Sequence, residues 1–230
     1  ALAQLGANWF DHPADKMTMI GVTGTNGKTT ITYLLKTVLE QTLGAKVGLI
    51  GTIQNMIGCE VIHTERTTPE SFELQKLFAQ MADAGCTHCV MEVSSHALVL
   101  HRADEISFET GIFTNLTEDH LDFHKTMDVY CEAKAMLFTR CRHGVVNTDD
   151  AYAQKIMAHA TCSLLRYAEK DPDAELRAEN IELAADHVAF TAKTAHGQAQ
   201  VRLAIPGGFT VYNALAVIGA GLTLGIPLSE

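Results

Sequence analysis

Positive charge is scarce in this chain. Seventeen lysines and arginines face 27 aspartates and glutamates, a formal net charge of −10 at pH 7. A protein that coats duplex nucleic acid neutralises phosphates with a basic surface, so the charge argues against this class. A small anionic ligand, held by backbone amides and a few cations, stays open. No basic-then-apolar leader is visible, which argues against a secretory signal peptide. Long apolar runs are lacking too. The longest, Ala214 to Ile226, is interrupted by glycine and threonine and is shorter than the ~20 residues a membrane span needs. Nor are the six cysteines in 230 residues a disulfide scaffold. Only Cys86 and Cys89 form a C-x-x-C, and no second pair completes a zinc site. Redox or metal chemistry is one reading of that pair. The sequence favours the other, burial at the start of an apolar strand, Cys86-Thr-His-Cys-Val-Met. Cysteine use of this kind without a leader suggests a reducing cytoplasm. Internal repeats and low-complexity segments are absent.

What is present is a globular composition, 47% hydrophobic and 19% charged. A chain of this length makes one large domain or two small ones and can bury a sizeable core without staples. Ala1 to Phe10 reads as a short helix followed by a loop with Pro13. Met17 to Val22 is an apolar run that enters a glycine-rich turn. Ile31, Leu34, Leu35, Val38 and Leu39 follow at helical spacing. Lys46 to Thr52 is strand-like. Thr68-Pro69-Glu70 offers an N-cap, a proline at the first helical position and an early carboxylate. The helix it opens presents Leu74, Leu77, Phe78, Met81 and Ala82, and Gly85 stops it.

Further on, Cys89 to Val93, Gly111 to Thr114 and Gly144 to Asn147 read as strands. Asp128 to Arg140 and Ala151 to Ala160 read as helices. Strands alternating with crossover helices predict an α/β fold with a mainly parallel sheet flanked by helices. Between about residues 175 and 205 the pattern turns to alternation around His196-Gly197, which predicts a small antiparallel region near the C-terminal end. A last helix is expected from about Tyr212 to Leu224.

The strongest chemical signal is the strand–Gly24-Thr-Asn-Gly-Lys-Thr-Thr30–helix sequence. Glycines let the backbone curl so that successive amides point at phosphate oxygens, and the helix N-terminus adds partial positive charge. Lys28 can reach the terminal phosphates and the Thr29 hydroxyl can hold Mg²⁺. Val22 occupies the place of the first Walker glycine, so the strict pattern fails while its strand-to-helix context holds. Three constellations accompany the loop. Glu92 ends a strand in Met91-Glu-Val-Ser-Ser-His96, where open α/β sheets bind ligands, and could hold Mg²⁺ or serve as a salt-bridged structural group. The stretch Phe113 to His124 carries two histidines and three carboxylates, a metal site or a solvated loop. Lys134 lies on an otherwise apolar helix stretch, where a lysine ordinarily snorkels to water.

Taken together and in this order, the phosphate loop, Thr67-Thr68-Pro69-Glu70, Met91-Glu-Val-Ser-Ser-His-Ala-Leu98, Asn115 to His124 and Tyr130-Cys-Glu-Ala-Lys134 resemble the Mur ligases of peptidoglycan synthesis, specifically the MurE type. The resemblance runs over essentially the whole chain. The loop is shared with folylpolyglutamate synthases, while the Thr-Thr-Pro-Glu and Glu-Val-Ser-Ser-His-Ala stretches are more specific.

The resemblance implies a P-loop central, ATP-binding domain over residues 17–230, with residues 1–16 a linker remnant. The uridine-binding and amino-acid-binding domains of such a ligase would then lie outside this sequence. It implies ATP and Mg²⁺ as cofactors, and UDP-MurNAc-dipeptide and a diamino acid as partners. Neither nucleic acid nor membrane insertion is implied, and the location would be cytoplasmic. Gly24, Thr25, Asn26, Gly27, Lys28, Thr29, Thr30 and Asn213 would bind nucleotide, with Asn213 at the adenine. Thr29 and Glu92 would hold one magnesium. His120 and Lys134, the latter as a carbamate, would hold a second. Lys28, Lys134 and His120 would be the catalytic set. Thr67, Thr68, Ser94 and Arg102 would contact the muramoyl dipeptide.

Two positions depart from the pattern. Leu100 stands where some members carry glutamine, and Thr210 where asparagine is frequent. Whether lysine or diaminopimelate is added is not written in this stretch. The competing readings are another Mur or folylpolyglutamate-type ligase domain, or a nucleotide-binding module that does not ligate. Modules of the MurT-like kind carry a four-cysteine zinc insert that this chain lacks. Thr67-Thr68-Pro69 speaks against a folylpolyglutamate synthase.

Overall fold

The computed structural model describes all residues, Ala1–Glu230. Eleven strands form one sheet: β1 Thr18–Thr23, β2 Val47–Ile50, β3 Asn55–Ile57, β4 Glu60–Ile62, β5 His88–Glu92, β6 Phe108–Phe113, β7 Cys141–Asn147, β8 Ser163–Ala168, β9 Leu176–Leu183, β10 Val188–Thr194 and β11 Gly197–Leu203. Their order is β11-β10-β9-β8-β7-β6-β1-β5-β2-β3-β4. The pairings from β2 through β5, β1, β6, β7 and β8 to β9 are parallel. The helices are α1 Leu2–Trp9, α2 Lys28–Leu43, α3 Ser71–Asp83, α4 Ser95–Val99, α5 Leu121–His124, α6 Met127–Ala135, α7 Ala153–His159 and α8 Phe209–Thr223. None is long and apolar enough to cross a membrane.

Side chains alternate across each strand, so successive residues enter different cores. Met19, Cys89, Met91, Phe113 and Val146 point to one face, with Leu74 and Phe78 of α3 and Tyr130 of α6. Ile20, Val22, Val90, Ile112 and Val145 point to the other, with Ile31, Leu35 and Leu39 of α2 and Leu215 of α8. Burial on both faces explains why these strands read as continuous apolar runs. Each fully buried Leu or Phe here contributes about 1.5–3 kcal/mol of burial free energy.

The antiparallel region lies where alternation placed it. β9, β10 and β11 form a meander, with Thr194 opposite Gly197 at the hairpin turn. A second antiparallel ribbon, β3–β4, borders the far edge next to β2. Its three-residue strands are too short to show a period.

Other details differ from the sequence reading. Glu70, not Thr68, caps α3, through a reciprocal capping box with Glu73. The helix expected over Asp128 to Arg140 is α6 followed by a 3₁₀ turn, Met136–Thr139. The last helix begins at Phe209, three residues early.

β1 lies between β5 and β6, and the chain leaves it toward β2 on one side and reaches β6 on the other. Ligands of open α/β sheets sit at such a switch point, beyond the carboxyl ends of the strands. Register places Val22 beside Glu92 and Thr23 beside Phe113, so the segments that follow these three strands lie side by side.

Candidate active site

The loop after β1 is shaped by contacts that only glycine permits. Gly24 has φ +144°, and a Cβ there would lie 1.9 Å from Thr114 Oγ1. Gly27 has φ +89°, and a Cβ there would lie 2.5 Å from Asn213 Oδ1. The segment after β6 braces the loop from beside it. The Thr25 amide donates to the Asn115 carbonyl at 2.9 Å. The Asn26 amide donates to Asn115 Oδ1 at 3.0 Å, and Asn115 Nδ2 and Thr114 Oγ1 both donate to the Asn26 carbonyl. Asn115 begins the Asn115 to His124 stretch, yet its role in holding the loop is visible only in three dimensions.

Lys28 folds back over the loop and donates to the Gly24 and Thr25 carbonyls at 2.9 and 2.8 Å. Burial pushes its ammonium below the ordinary value, while Glu92 and Asp119 oppose that shift. Beneath it, buried Lys134 donates to the same Gly24 carbonyl at 2.9 Å, with Nζ 4.4 Å from the Tyr130 ring centroid. Burial first, and the charge of Lys28 second, hold the Lys134 amine well below its ordinary value. Lys134 thus does not snorkel.

Glu92 is buried at the end of β5. Its Oε1 accepts from the Thr29 hydroxyl at 2.9 Å and from the Thr52 amide at 3.0 Å, and Oε2 accepts from the Thr52 hydroxyl at 3.0 Å. No lysine or arginine bridges it, so the structural salt-bridge reading fails. Thr52 was not anticipated, since a threonine after a strand carries no sequence signal.

The residues expected at the acceptor side form a chain away from Glu92. Thr67 Oγ1 lies 3.0 Å from Thr52 Oγ1. Thr68 donates its hydroxyl to the Glu92 carbonyl at 2.8 Å and accepts from the Ser94 amide at 3.1 Å. Arg102 donates to the Thr68 carbonyl and pairs with Glu70 at 2.7 Å. Ser94 also caps α4 by accepting from the Ala97 amide.

His120 stands apart from this chain. It sits next to Asp119, Nε2 to Oδ2 3.4 Å, and shares the Tyr130 ring with Lys134. Its neighbours His96, Phe123 and His124 form an aromatic cluster that the sequence reading did not resolve. Asn213 is buried with Oδ1 over Gly27. The Thr30 hydroxyl makes no side-chain hydrogen bond to this set. Thr210 is fully buried and donates to the Pro206 carbonyl, while Leu100 is exposed at the end of α4. No three His, Cys, Asp or Glu side chains converge on a metal position. Cys86 and Cys89 are buried free thiols, in line with the structural reading.

A family model described as the Mur ligase middle domain matches residues 22–221. The chain belongs to this family. Among curated proteins, the UDP-N-acetylmuramoyl-L-alanyl-D-glutamate–2,6-diaminopimelate ligase 1 of Clostridium acetobutylicum is 47% identical over 230 residues, covering 100% of this chain and 47% of that protein. The chain spans about half the length of the curated relatives it matches. A solved structure of a UDP-N-acetylmuramoyl-L-alanyl-D-glutamate–2,6-diaminopimelate ligase superposes with a TM-score of 0.90 at 28% identity, over 99% of this chain and 48% of the other. The Mycobacterium tuberculosis folylpolyglutamate synthase, solved with ADP and AMPPCP, gives a TM-score of 0.77 at 16% identity, over 97% of this chain and 58% of the other. At that identity the likeness shows the fold alone.

Proposed function

We propose that this middle domain is the ATP-binding centre of an amide-forming ligase that adds a diamino acid to UDP-MurNAc-L-Ala-D-Glu in the cytoplasm. The observation that carries the proposal is Lys134, a buried amine beneath the phosphate loop that shares a carbonyl with Lys28. A phosphotransferase has no need of such a group. Diaminopimelate is the diamino acid favoured by the relatives' names.

The residues fit a nucleotide with divalent cations. The loop is a cradle that a Cβ would fill at Gly24 and Gly27. The Thr29 hydroxyl and the Glu92 carboxylate are hard oxygen donors that suit Mg²⁺ or Mn²⁺, and the His120 imidazole adds a softer nitrogen donor. In this reading Thr29 and Glu92 hold one cation, and His120 and Lys134 the other. Burial lowers the Lys134 amine well below its ordinary value and so favours its neutral form. Its lone pair can then attack carbon dioxide, forming an N–C bond and releasing one proton, to leave a carbamate anion. Asn213 contacts the adenine, while Thr67, Thr68, Ser94 and Arg102 hold the acceptor.

In the reaction, the D-glutamyl carboxylate attacks the γ-phosphorus, the bond to the ADP oxygen breaks, and an acyl phosphate forms. Lys28, released from its two carbonyls, offsets the charge gathering on the transferred group. The cations, when bound, supply further positive charge at the same place. The amine of the diamino acid then attacks the acyl carbon, phosphate leaves, and the nitrogen loses a proton. The acceptor contacts hold the carboxylate in line and so lower the entropic part of the barrier.

Calorimetric titration of Mg-ATP tests the nucleotide site. The native chain is expected to give a binding isotherm and Lys28→Ala none; equal affinities would remove Lys28 from the role. A coupled phosphate-release assay with the acceptor, diaminopimelate or lysine, and Mg-ATP tests the division of labour. Spanning half the length of its relatives, the chain is expected to bind nucleotide weakly and not to turn over. Acceptor-dependent release at ~1 s⁻¹ or faster would show that these 230 residues suffice.

A further inference from the structure

The reading above gives His120 a task and leaves its neighbour His96 without one. His96 is half-buried in the first turn of α4, two residues beyond Ser94. It engages its surroundings through ring contacts. We propose that His96 is a positioning residue that fixes the orientation of the His120 imidazole and thereby tunes the affinity of the cation His120 holds. The inference rests on His120 being a metal ligand.

The main chain of His120 is tied, its amide donating to Asp119 Oδ1 at 2.9 Å and its carbonyl accepting from the Phe123 and His124 amides, but its imidazole makes no short hydrogen bond. Its backbone is left-handed, φ +52°, at the mouth of the four-residue α5, and Lys125 at the far end is at φ +68°. Non-glycine residues persist in that region only when their surroundings over-determine them. The Asp119 carboxylate 3.4 Å from Nε2 is 47% exposed and the His120 side chain 48%, so this contact is screened by water.

The ring contacts are firmer. His96 meets His120 edge-on at 4.9 Å and 89°, and Tyr130 meets it edge-on at 6.2 Å and 88°. Both lie in the range that aromatic pairs prefer. His96 is in turn fixed by Phe123 at 4.2 Å and by His124 at 5.4 Å. His124 lies 2.8 Å from the Ser95 hydroxyl and stacks on Tyr130 at 4.9 Å and 26°. The cluster closes on itself across α4, α5 and α6, and its far wall, Tyr130, carries Lys134. His96 therefore connects the element that begins at Ser94 to the imidazole that the second cation requires. Groups that orient a metal-bound histidine typically change metal affinity by ~10–100-fold when removed. Such groups are often carboxylates; here the orienting body is a ring.

The test is a Mn²⁺ titration followed by electron paramagnetic resonance. The chain is saturated with a non-hydrolysable ATP analogue in bicarbonate buffer. His96→Phe keeps a ring and loses the nitrogens. His96→Gln keeps a polar hydrogen-bonding group and loses the ring. The Phe variant is expected within ~3-fold of native Mn²⁺ affinity and the Gln variant ~10-fold weaker. Melting temperature and metal-free nucleotide affinity should stay unchanged in both. A weakened Phe variant beside a native-like Gln variant would overturn the proposal, because the role would then belong to the ring nitrogens. Native affinity in both would overturn it as well. His120→Ala separates the two layers. If that variant binds Mn²⁺ as the native chain does, the metal role of His120 falls and the inference with it. If it is weakened while His96→Gln is not, only the inference falls.

Discussion

The carboxyl ends of β1, β5 and β6 and the β9–β11 meander belong to one sheet but follow opposite rules. At the strand ends polar groups are buried: Thr23, Thr68, Glu92, Thr114, His124, Lys134, Asn147 and Asn213. Most are tied to the backbone of a neighbouring loop, as Lys134 is to Gly24 and Asn147 to Thr114. In the meander most polar groups are exposed or half-buried, Thr191 on β10 being a buried exception. β11 alternates between exposed and half-buried residues, and Glu179 pairs with Lys193 and Arg177 at the surface. Burying a polar group costs free energy unless a partner replaces water, so the proposed site at the strand ends is held at the expense of stability. The meander only has to cover the sheet.

The largest break in this contrast should come from Gly24→Ala. The new Cβ would lie 1.9 Å from Thr114 Oγ1 and displace the hydroxyl that donates to Asn26 at 2.7 Å. Overpacking and a left-handed alanine together predict a loss of about 2–4 kcal/mol. Nucleotide binding should be lost as well. Denaturant unfolding and Mg-ATP titration read the two effects separately. A variant of native stability that still binds would mean that the loop shape is not set by this contact.

Next is the amine beneath the loop. Chains incubated with ¹³C-bicarbonate should show a protein-bound carbamate resonance that is missing in Lys134→Met. Only the neutral amine reacts, so occupancy should rise with pH and with bicarbonate. A spectrum identical in native chain and variant would remove the carbamate. The Met variant should fold, because an apolar side chain of similar length replaces an amine whose burial is unfavourable.

A smaller effect separates the regions by pH. Burial, aided by His96, Lys134 and His120, lowers the His124 imidazole from 6.5 to about 4. The folded state therefore binds fewer protons than the unfolded chain between those values, and the stabilisation present above pH 6.5 is lost as pH falls toward 4. Between pH 7 and pH 5 the loss from this group should be about 1–2 kcal/mol. His124→Asn should flatten the difference in unfolding free energy between the two pH values. An unchanged difference would show that His124 does not govern it.

How much of this was legible follows from the same contrast. The parallel strands and α2 could be read because apolar side chains on both faces leave continuous runs in the sequence. The meander was legible from alternation around His196-Gly197. The phosphate loop was legible because glycine, lysine and threonine at fixed spacing do one thing between a strand and a helix. Thr52, Asn115, Tyr130 and the His96 cluster were not. Their roles depend on register, which sets Val22 beside Glu92 and Thr23 beside Phe113, and no local pattern encodes that. β8 escaped because exposed Ser163 and half-buried Arg166 break its apolar run. Thr68 misled as a helix cap because its hydroxyl serves the Glu92 carbonyl instead.

The smallest expected effect lies in the meander. Lys193 and Glu179 approach at 3.1 Å with side chains 42% and 37% exposed. Glu179 is also 3.4 Å from Arg177, so losing Lys193 leaves it a second cation. A pair this exposed gains little Coulomb energy over hydration and must order two long side chains. Lys193→Ala should therefore change stability by no more than ~0.5 kcal/mol, and a double-mutant cycle with Glu179→Ala should give a coupling of ~0.2–1 kcal/mol. The coupling should shrink further in 1 M salt, where the screening length is only ~3 Å. A coupling above ~2 kcal/mol that persists in salt would place a buried, chemistry-like interaction in the region assigned to plain cover. The two halves of the sheet would then not differ as claimed.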